Sequence, residues 1–172
     1  MTKRWVKGLG IPVILVLTMA LAGCCLWAEW VKADKDRAEK VPPAEVMAAE
    51  LRALQAAAQA EGALLPIYFD FDKSNLKSEA KANLDKTAAW LSKNSTVKIK
   101  IEGNCDERGT NEYNMALGER RANSAKEYLV NLGVATNRLE TMSWGEEKPL
   151  DPGHDEAAWA KNRRDDFNPT SK

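Results

Sequence analysis

The spacing of apolar positions changes along the chain after residue 64, and the changes predict alternating strands and helices. Residues 65–71, 97–101 and 139–144 are the predicted strands. The first two alternate apolar and polar positions, as half-buried strands do; the positions on their inner sides are Ile67, Phe69 and Phe71, then Val97, Ile99 and Ile101. A sheet built from them has one side turned to a core and the other turned to water.

Segments with helical spacing separate these strands. The first has apolar positions at Ala80, Leu84, Ala88 and Leu91, and Ser74 stands where such a helix would begin. The second covers residues 111–132 and presents one face made of Gly118, Ala122, Ala125, Leu129 and Leu132. Gly133 follows as a stop signal, and residues 155–161 predict a further short helix. The alternation predicts an α/β fold, an α+β sandwich with a mixed sheet and helices on one face.

The segment before residue 64 has a different character. Residues 28–41 are dense in charge and lack apolar periodicity, which is typical of a solvated tether. Pro42 and Pro43 then open an alanine-rich stretch that predicts a helix over about residues 43–61. Its weak apolar stripe fits either a short coiled coil or a helical spacer. We favour the spacer because the stripe covers only two heptads.

The first residues have the pattern of a signal peptide. Lys3, Arg4 and Lys7 precede an apolar run over residues 9–22, which is shorter than the roughly 20 apolar residues of a transmembrane helix. An uncleaved short anchor is the alternative interpretation. The run ends in Leu21-Ala22-Gly23-Cys24, which resembles the lipobox of bacterial lipoprotein precursors. That resemblance implies removal of residues 1–23 and a lipid on Cys24, and an outer-membrane destination because Cys25, not aspartate, follows.

Charge and composition exclude several classes of function. The chain has 25 basic and 25 acidic residues, so it lacks the cationic excess of a nucleic-acid binding protein. Cys105 is the one thiol after residue 25, and no Cys-x-x-Cys pair or zinc-type spacing occurs, so we expect no metal. The single histidine, His154, lies in a turn with no evident partner, so we expect a structural role for it and no enzymatic activity.

The densest polar stretch, residues 103–110, falls between the second strand and the long helix, where ligands bind on such sheets. Asn114, Leu117 and Arg121 share one face of that helix. Asp106 and Arg121 can therefore converge on a small zwitterion, the aspartate accepting from an ammonium and the arginine donating two bonds to a carboxylate. The alternative is a surface ion pair or a capping carboxylate, which composition alone favours.

Four segments carry a resemblance to a known family: residues 68–74, 102–122, 144–149 and 153–164. Taken in order, they resemble the OmpA-like domain of the peptidoglycan-associated lipoproteins, which would occupy residues 64–172. The resemblance implies non-covalent binding to meso-diaminopimelate in the stem peptide of peptidoglycan. Asp106 would hold its ammonium and Arg121 its carboxylate, and supporting contacts would come from Phe71, Asp72, Arg108, Asn114 and Leu117.

The family also implies a physiological setting. Its members are outer-membrane lipoproteins of the Tol–Pal system, which bind TolB and TolA and link the outer membrane to the cell wall during division. No cofactor is implied beyond the lipid on Cys24. The alternative is an OmpA-like lipoprotein that acts in another envelope assembly.

Departures from the family pattern lead to further expectations. Cys105 stands where threonine is usual, so a weak thiol donor replaces a hydroxyl. The family continues after Arg164 with an apolar strand, whereas this chain continues with Asp165-Asp166-Phe167-Asn168-Pro169, which predicts a last strand that is short, frayed or absent. We also place Trp90, Trp144 and Trp159 on core faces.

Overall fold

A computed structural model of the chain describes residues 44–171. The predicted signal peptide, Cys24, Cys25 and the charged tether lie outside the described residues. The helices are α1 (Ala44–Ala60), α2 (Ser78–Lys93), α3 (Asn111–Asn131) and α4 (Glu156–Asn162), with a 3-10 turn at Thr136–Arg138. The strands are β1 (Ile67–Tyr68), β2 (Lys98–Asn104), β3 (Leu139–Gly145) and β4 (Arg164–Ser171).

The four strands form one mixed sheet in the order β1-β4-β2-β3. β2 and β3 are parallel and are joined through α3, whereas β4 is antiparallel to both β1 and β2. The predicted mixed α/β fold is confirmed.

The prediction that the last strand is short, frayed or absent is wrong. β4 has eight residues and lies between β1 and β2. Backbone pairing on both sides holds it, and its side chains alternate so that Asp165 and Phe167 are buried. Pro169, which lacks an N–H, pairs with Ile99 beside a shift in the register, where a missing donor is tolerated.

Two predicted boundaries also need correction. β1 covers only Ile67–Tyr68 instead of residues 65–71, and Phe71 lies exposed in the following turn instead of on the inner side of a strand. Helix α2 begins at Ser78, four residues after Ser74, and its N-cap, Lys77, makes no side-chain capping bond. Propensity extended the strand too far and began the helix too early, because a turn at residues 71–72 and the irregular residues 73–77 separate the two elements.

The core lies between the sheet and helices α2 and α3. Its largest fully buried apolar side chains are Phe167, Leu64, Ile67, Leu84, Leu91, Ile99, Ile101 and Leu129. Leu132, predicted on the buried face of α3, is the C-cap residue and is exposed. Helix α1 contributes Ala58, which is buried in the core, and Leu54, which packs against it. None of the helices within residues 44–171 is long and apolar enough to cross a membrane.

Two glycines allow α3 to cross β2 at very short distance. A Cβ on Gly103 would lie 2.0 Å from the backbone oxygen of Gly118, and a Cβ on Gly118 would lie 2.9 Å from the backbone oxygen of Gly103. Only glycine at both positions permits this approach. The crossing brings the side chains of the first turns of α3 to the end of β2, where the polar loop begins.

Candidate functional site

The polar loop of residues 105–110 and the first three turns of α3 surround a cavity of about 210 Å³. This volume is below the range of pockets for drug-sized ligands, so the cavity suits the end group of a small molecule or a chain. All seven residues predicted to bind ligand line it: Phe71, Asp72, Asp106, Arg108, Asn114, Leu117 and Arg121. Cys105, Gly109, Tyr113 and Arg163 complete the lining.

Asp106 is the anionic centre of the cavity. Its Oδ2 accepts from Nη2 of Arg108 at 2.6 Å and from Nη1 of Arg163 at 3.1 Å, and its Oδ1 accepts from the backbone N–H of Arg108. Burial by itself raises the pKa of Asp106, but the bonds from the two arginines outweigh it and hold the pKa below its ordinary value. Asp106 is therefore ionised at neutral pH.

Arg108 lies between two aromatic rings at the mouth of the cavity. Its guanidinium carbon is 4.0 Å from the ring centroid of Phe71 and 4.2 Å from that of Trp159. A second, longer ion pair joins Nη1 to Glu156 at 3.6 Å. The stack fixes the plane of the guanidinium, because an arginine is attracted to the faces of both rings.

Arg121 is completely buried at the base of the cavity. Four of its five N–H groups donate to atoms of the surrounding loops; the acceptors are the carbonyl oxygens of Lys73, Asn104 and Asp70 and the sulfur of Cys105. Burial lowers the pKa of Arg121, while Cys105, Asp165 and Asp106 act in the opposite direction. One N–H remains for a ligand, so two parallel bonds to a carboxylate, as the sequence suggested, would require Arg121 to release a carbonyl.

Asn114 fixes the loop from below. Its Nδ2 donates to the carbonyl oxygens of Asp106 and Arg108 and, at 2.6 Å, to the carboxylate of Glu146. Cys105 donates its thiol to the carbonyl oxygen of Asn114, as expected of a weak donor. Burial raises the pKa of Cys105 to about 11, so the thiol stays neutral at neutral pH.

Asp72 and Tyr113 form the opposite wall. Asp72 has a positive φ of 57°, an unusual conformation that aspartate tolerates better than most residues, and its carboxylate accepts from the hydroxyl of Tyr113. That bond raises the pKa of Tyr113. The turn after β1 is thereby tied to the first turn of α3.

A second polar cluster at the rim corrects two predictions. Glu107 accepts from Nε1 of Trp159 at 2.9 Å and lies 2.8 Å from Nδ1 of His154. His154 thus has a partner, although none was evident from the sequence. Trp159 is half-buried and lies against Arg108, so its placement on a core face was wrong. Trp144 is also only half-buried, whereas Trp90 is buried in the core as predicted.

Arg163 is the main component of the site that sequence reasoning did not identify. It lies just before β4, is buried, and reaches Asp106 over a separation of 57 residues while also donating to Phe69 and Glu156. The only indication of Arg163 in the sequence is that the pair Arg163-Arg164 ends the segment 153–164, which resembles the family. Within residues 44–171, no group of three or more His, Cys, Asp or Glu side chains could hold a metal ion.

Comparison with known proteins places the chain and its fold in one family. Residues 68–163, more than half of the chain, match the OmpA family. In solved structures, the peptidoglycan-associated lipoprotein from Burkholderia pseudomallei is 45% identical, with a TM-score of 0.60, covering 61% of this chain and 89% of that one. The C-terminal domain of Helicobacter pylori MotB is 21% identical, with a TM-score of 0.59, covering 63% of this chain and 85% of that one, and shows the fold alone.

Three proteins named peptidoglycan-associated lipoprotein give the sequence comparison. The one from Pseudomonas putida is 44% identical over 153 residues, which are 87% of this chain and 90% of that relative. Those from Pasteurella multocida and Haemophilus influenzae are each 53% identical over 98 residues, which are 57% of this chain and 65% and 64% of those relatives. The chain belongs to the OmpA family and, within it, to the peptidoglycan-associated lipoproteins.

Proposed function

We propose that this protein is an outer-membrane lipoprotein, anchored through Cys24 and facing the periplasm, that binds peptidoglycan non-covalently and catalyses no reaction on it. The ligand is the free end of meso-diaminopimelate in the stem peptide, which carries an ammonium and a carboxylate on one carbon. The observation that carries the proposal is the buried, ionised Asp106 beside Arg121 in a cavity sized for one such end group.

The charges in the cavity support a zwitterionic ligand. Asp106 provides an anion for an ammonium, and Arg108, Arg121 and Arg163 supply positive charge within the same lining for a carboxylate. Bonds between charged partners in a partly buried site are worth about 1.5–3 kcal/mol each. Loss of Asp106 should therefore weaken binding on the order of tenfold or more.

The names of the relatives support the cell-wall ligand, since each is called peptidoglycan-associated. We propose further that the protein acts in the Tol–Pal system, with TolB and TolA as partners, and holds the outer membrane to the wall during cell division. The predicted lipid on Cys24 and the tether after it would give the reach that this role requires. Co-purification from the native envelope separates this role from the alternative assembly. Recovery of TolB with the lipoprotein supports the Tol–Pal role, and recovery of a different envelope protein in its place supports the alternative.

The direct test is co-sedimentation of the full chain with purified sacculi that contain diaminopimelate. Asp106→Asn and Arg121→Lys keep side-chain size and are expected to lose most retention, while Arg120→Gln, an exposed arginine outside the cavity, serves as the matched control and should sediment like the wild type. Circular dichroism checks that each variant is folded. A folded wild-type protein that stays in the supernatant would contradict the proposal.

A further inference from the structure

We infer that Arg108 occupies the ligand's ammonium position in the free protein, and that binding exchanges one ion pair for two. The ligand's ammonium replaces Arg108 on Asp106, and the released guanidinium of Arg108 turns to the ligand's carboxylate. This exchange rests on the proposed function and adds the reason why the cavity would require both charged groups on one ligand.

The contacts of Asp106 exclude a simple approach by an outside cation. The side chain of Asp106 is only 4% exposed. On the side of the cavity mouth, Nη2 of Arg108 lies 2.6 Å from Oδ2 of Asp106, and the Arg108 side chain is 30% exposed. An ammonium can therefore reach Oδ2 only where Arg108 now donates. In the free protein, the guanidinium of Arg108 thus occupies the position that the ligand's ammonium would take.

Arg163 cannot make the same exchange. It is 7% exposed and is held by three acceptors, the carbonyl oxygen of Phe69, the carboxylate of Asp106 and the carboxylate of Glu156. Moving it would leave a buried guanidinium without partners, which is a costly change. Arg163 therefore stays on Asp106 while Arg108 is the mobile partner.

The rings of Phe71 and Trp159 can hold the Arg108 guanidinium after it leaves Asp106. The guanidinium carbon is 4.0 Å from the ring centroid of Phe71 and 4.2 Å from that of Trp159. Since the two rings adjoin the guanidinium at the cavity mouth, it can turn away from Asp106 and keep a cation–π contact. Phe71 is more than half exposed, so nothing in the core must move with it.

A ligand without the carboxylate leaves the exchange incomplete. Arg108 would then lose Asp106 and keep only the exposed Glu156 at 3.6 Å as its anionic partner among the described residues. Arg121 cannot take the place of the missing carboxylate, because a guanidinium has no acceptor atom and carries the same charge as Arg108. The cavity should consequently discriminate against a stem peptide that ends in lysine, which carries the ammonium alone.

The test is isothermal titration of the full chain, in mild detergent, with muramyl tripeptides that end in meso-diaminopimelate or in L-lysine. Wild type should prefer the diaminopimelate peptide by about tenfold or more. In Arg108→Gln, affinity for the diaminopimelate peptide should fall and affinity for the lysine peptide should rise above that of the wild type, because no guanidinium competes for Asp106. Arg120→Gln is the matched control and should keep the wild-type ratio.

The outcomes separate the exchange from the proposed function. If the Arg108→Gln variant binds the lysine peptide no better than the wild type, the exchange is wrong even though peptidoglycan binding stands. If the wild type binds neither peptide, the proposed function itself fails.

A second measurement needs no variant. In arginine side-chain NMR of the wild type, saturation with the diaminopimelate peptide should shift the Nε–H signal of Arg108 and the indole signal of Trp159 far more than the Nε–H signal of Arg163. An unmoved Arg108 signal at saturation would overturn the exchange.

Discussion

Two buried aspartates of this domain differ in whether they have hydrogen-bond partners, and their pKa values shift in opposite directions. Asp106 and Asp165 are both almost inaccessible to water. Asp106 is bonded to two arginines, and the bonds hold its pKa below the ordinary value in spite of burial. Neither carboxylate oxygen of Asp165 has a hydrogen-bond partner among the described residues, and burial raises its pKa well above the ordinary value.

Burial alone therefore does not decide whether a carboxyl group is charged. Asp106 is an anion at neutral pH because Arg108 and Arg163 compensate its lost hydration, and the same ion pairs make it ready for a cationic ligand. Asp165, the second residue of β4, is held toward its neutral form, and we expect it to destabilise the fold, since a buried polar group without a partner costs about 1–3 kcal/mol. Asp106 belongs to the candidate site, whereas Asp165 is expected to lower the free energy of unfolding.

The largest expected effect comes from neutralising the paired aspartate. Asp106→Asn removes the negative charge and leaves Arg163 as a buried cation without full compensation. We expect the free energy of unfolding to fall by about 3 kcal/mol, as when one partner of a buried pair is removed. Urea unfolding measures this, and a loss below about 1 kcal/mol would mean that the pair is not structurally important.

The unpaired aspartate should respond with the opposite sign. Asp165→Val keeps a similar volume and a strand-forming side chain, so removing the unpartnered carboxyl should raise the free energy of unfolding by about 1–3 kcal/mol. In acid below about pH 4, where the carboxyl is protonated in both the folded and the unfolded chain, Asp165→Asn, which stays polar, is the control and should gain little. A destabilised Asp165→Val variant would show that the carboxyl has a function in the fold after all.

The two groups also predict opposite slopes of stability with pH. The raised pKa of Asp165 means that the folded state retains a proton that the unfolded state loses above about pH 4. The contribution of Asp165 to the free energy of unfolding is therefore most favourable at acid pH and declines as the pH rises through the raised folded pKa. The lowered pKa of Asp106 does the reverse, and its contribution is lost as the pH falls through the lowered folded pKa.

Unfolding curves recorded from acid to neutral pH separate the two slopes. Relative to the wild type, Asp165→Asn should become more stable as the pH rises above about 4, whereas Asp106→Asn should be most destabilised near neutral pH and least in acid. Parallel pH profiles for the wild type and both variants would contradict the assignment of charge states.

The smallest effect concerns the rim that holds Arg108. Trp159→Leu removes one face of the stack, which is worth about 0.5–1 kcal/mol at an exposed site, and should weaken muropeptide binding by about two- to fivefold. Trp159→Phe keeps an aromatic face and loses only the bond to Glu107, so it should recover most of the affinity. Equal losses in the two variants would argue against the stack.

The sequence predicted the parts of this structure that depend on local pattern. The spacing of Ile99 and Ile101 predicted β2, and Asn114, Leu117 and Arg121 line one cavity as their helical spacing requires. β4 was missed because its residues have low strand propensity, and pairing with β1 and β2 on both sides overrides that propensity.

The pairings across the site could not be predicted in the same way. Arg163 joins Asp106, and Trp159 stacks on Arg108, through contacts that exist only once β4 lies beside β2 and α4 beside the polar loop. Nor did the sequence indicate that Arg121 is mostly bonded to carbonyl groups, since its hydrogen bonds depend on where the turn after β1 ends. Residue types indicated the ligand chemistry, and only the fold revealed which charges are already paired.

The most direct test of the central claim is an NMR titration of the protein with a muramyl tripeptide that ends in meso-diaminopimelate. We expect the backbone amides of residues 105–109 and the indole N–H of Trp159 to shift saturably, while the indole signals of Trp90 and Trp144, outside the cavity, stay in place. Shifts confined to another surface, or none at a concentration that saturates sacculus binding, would contradict the claim that the cavity around Asp106 binds the wall.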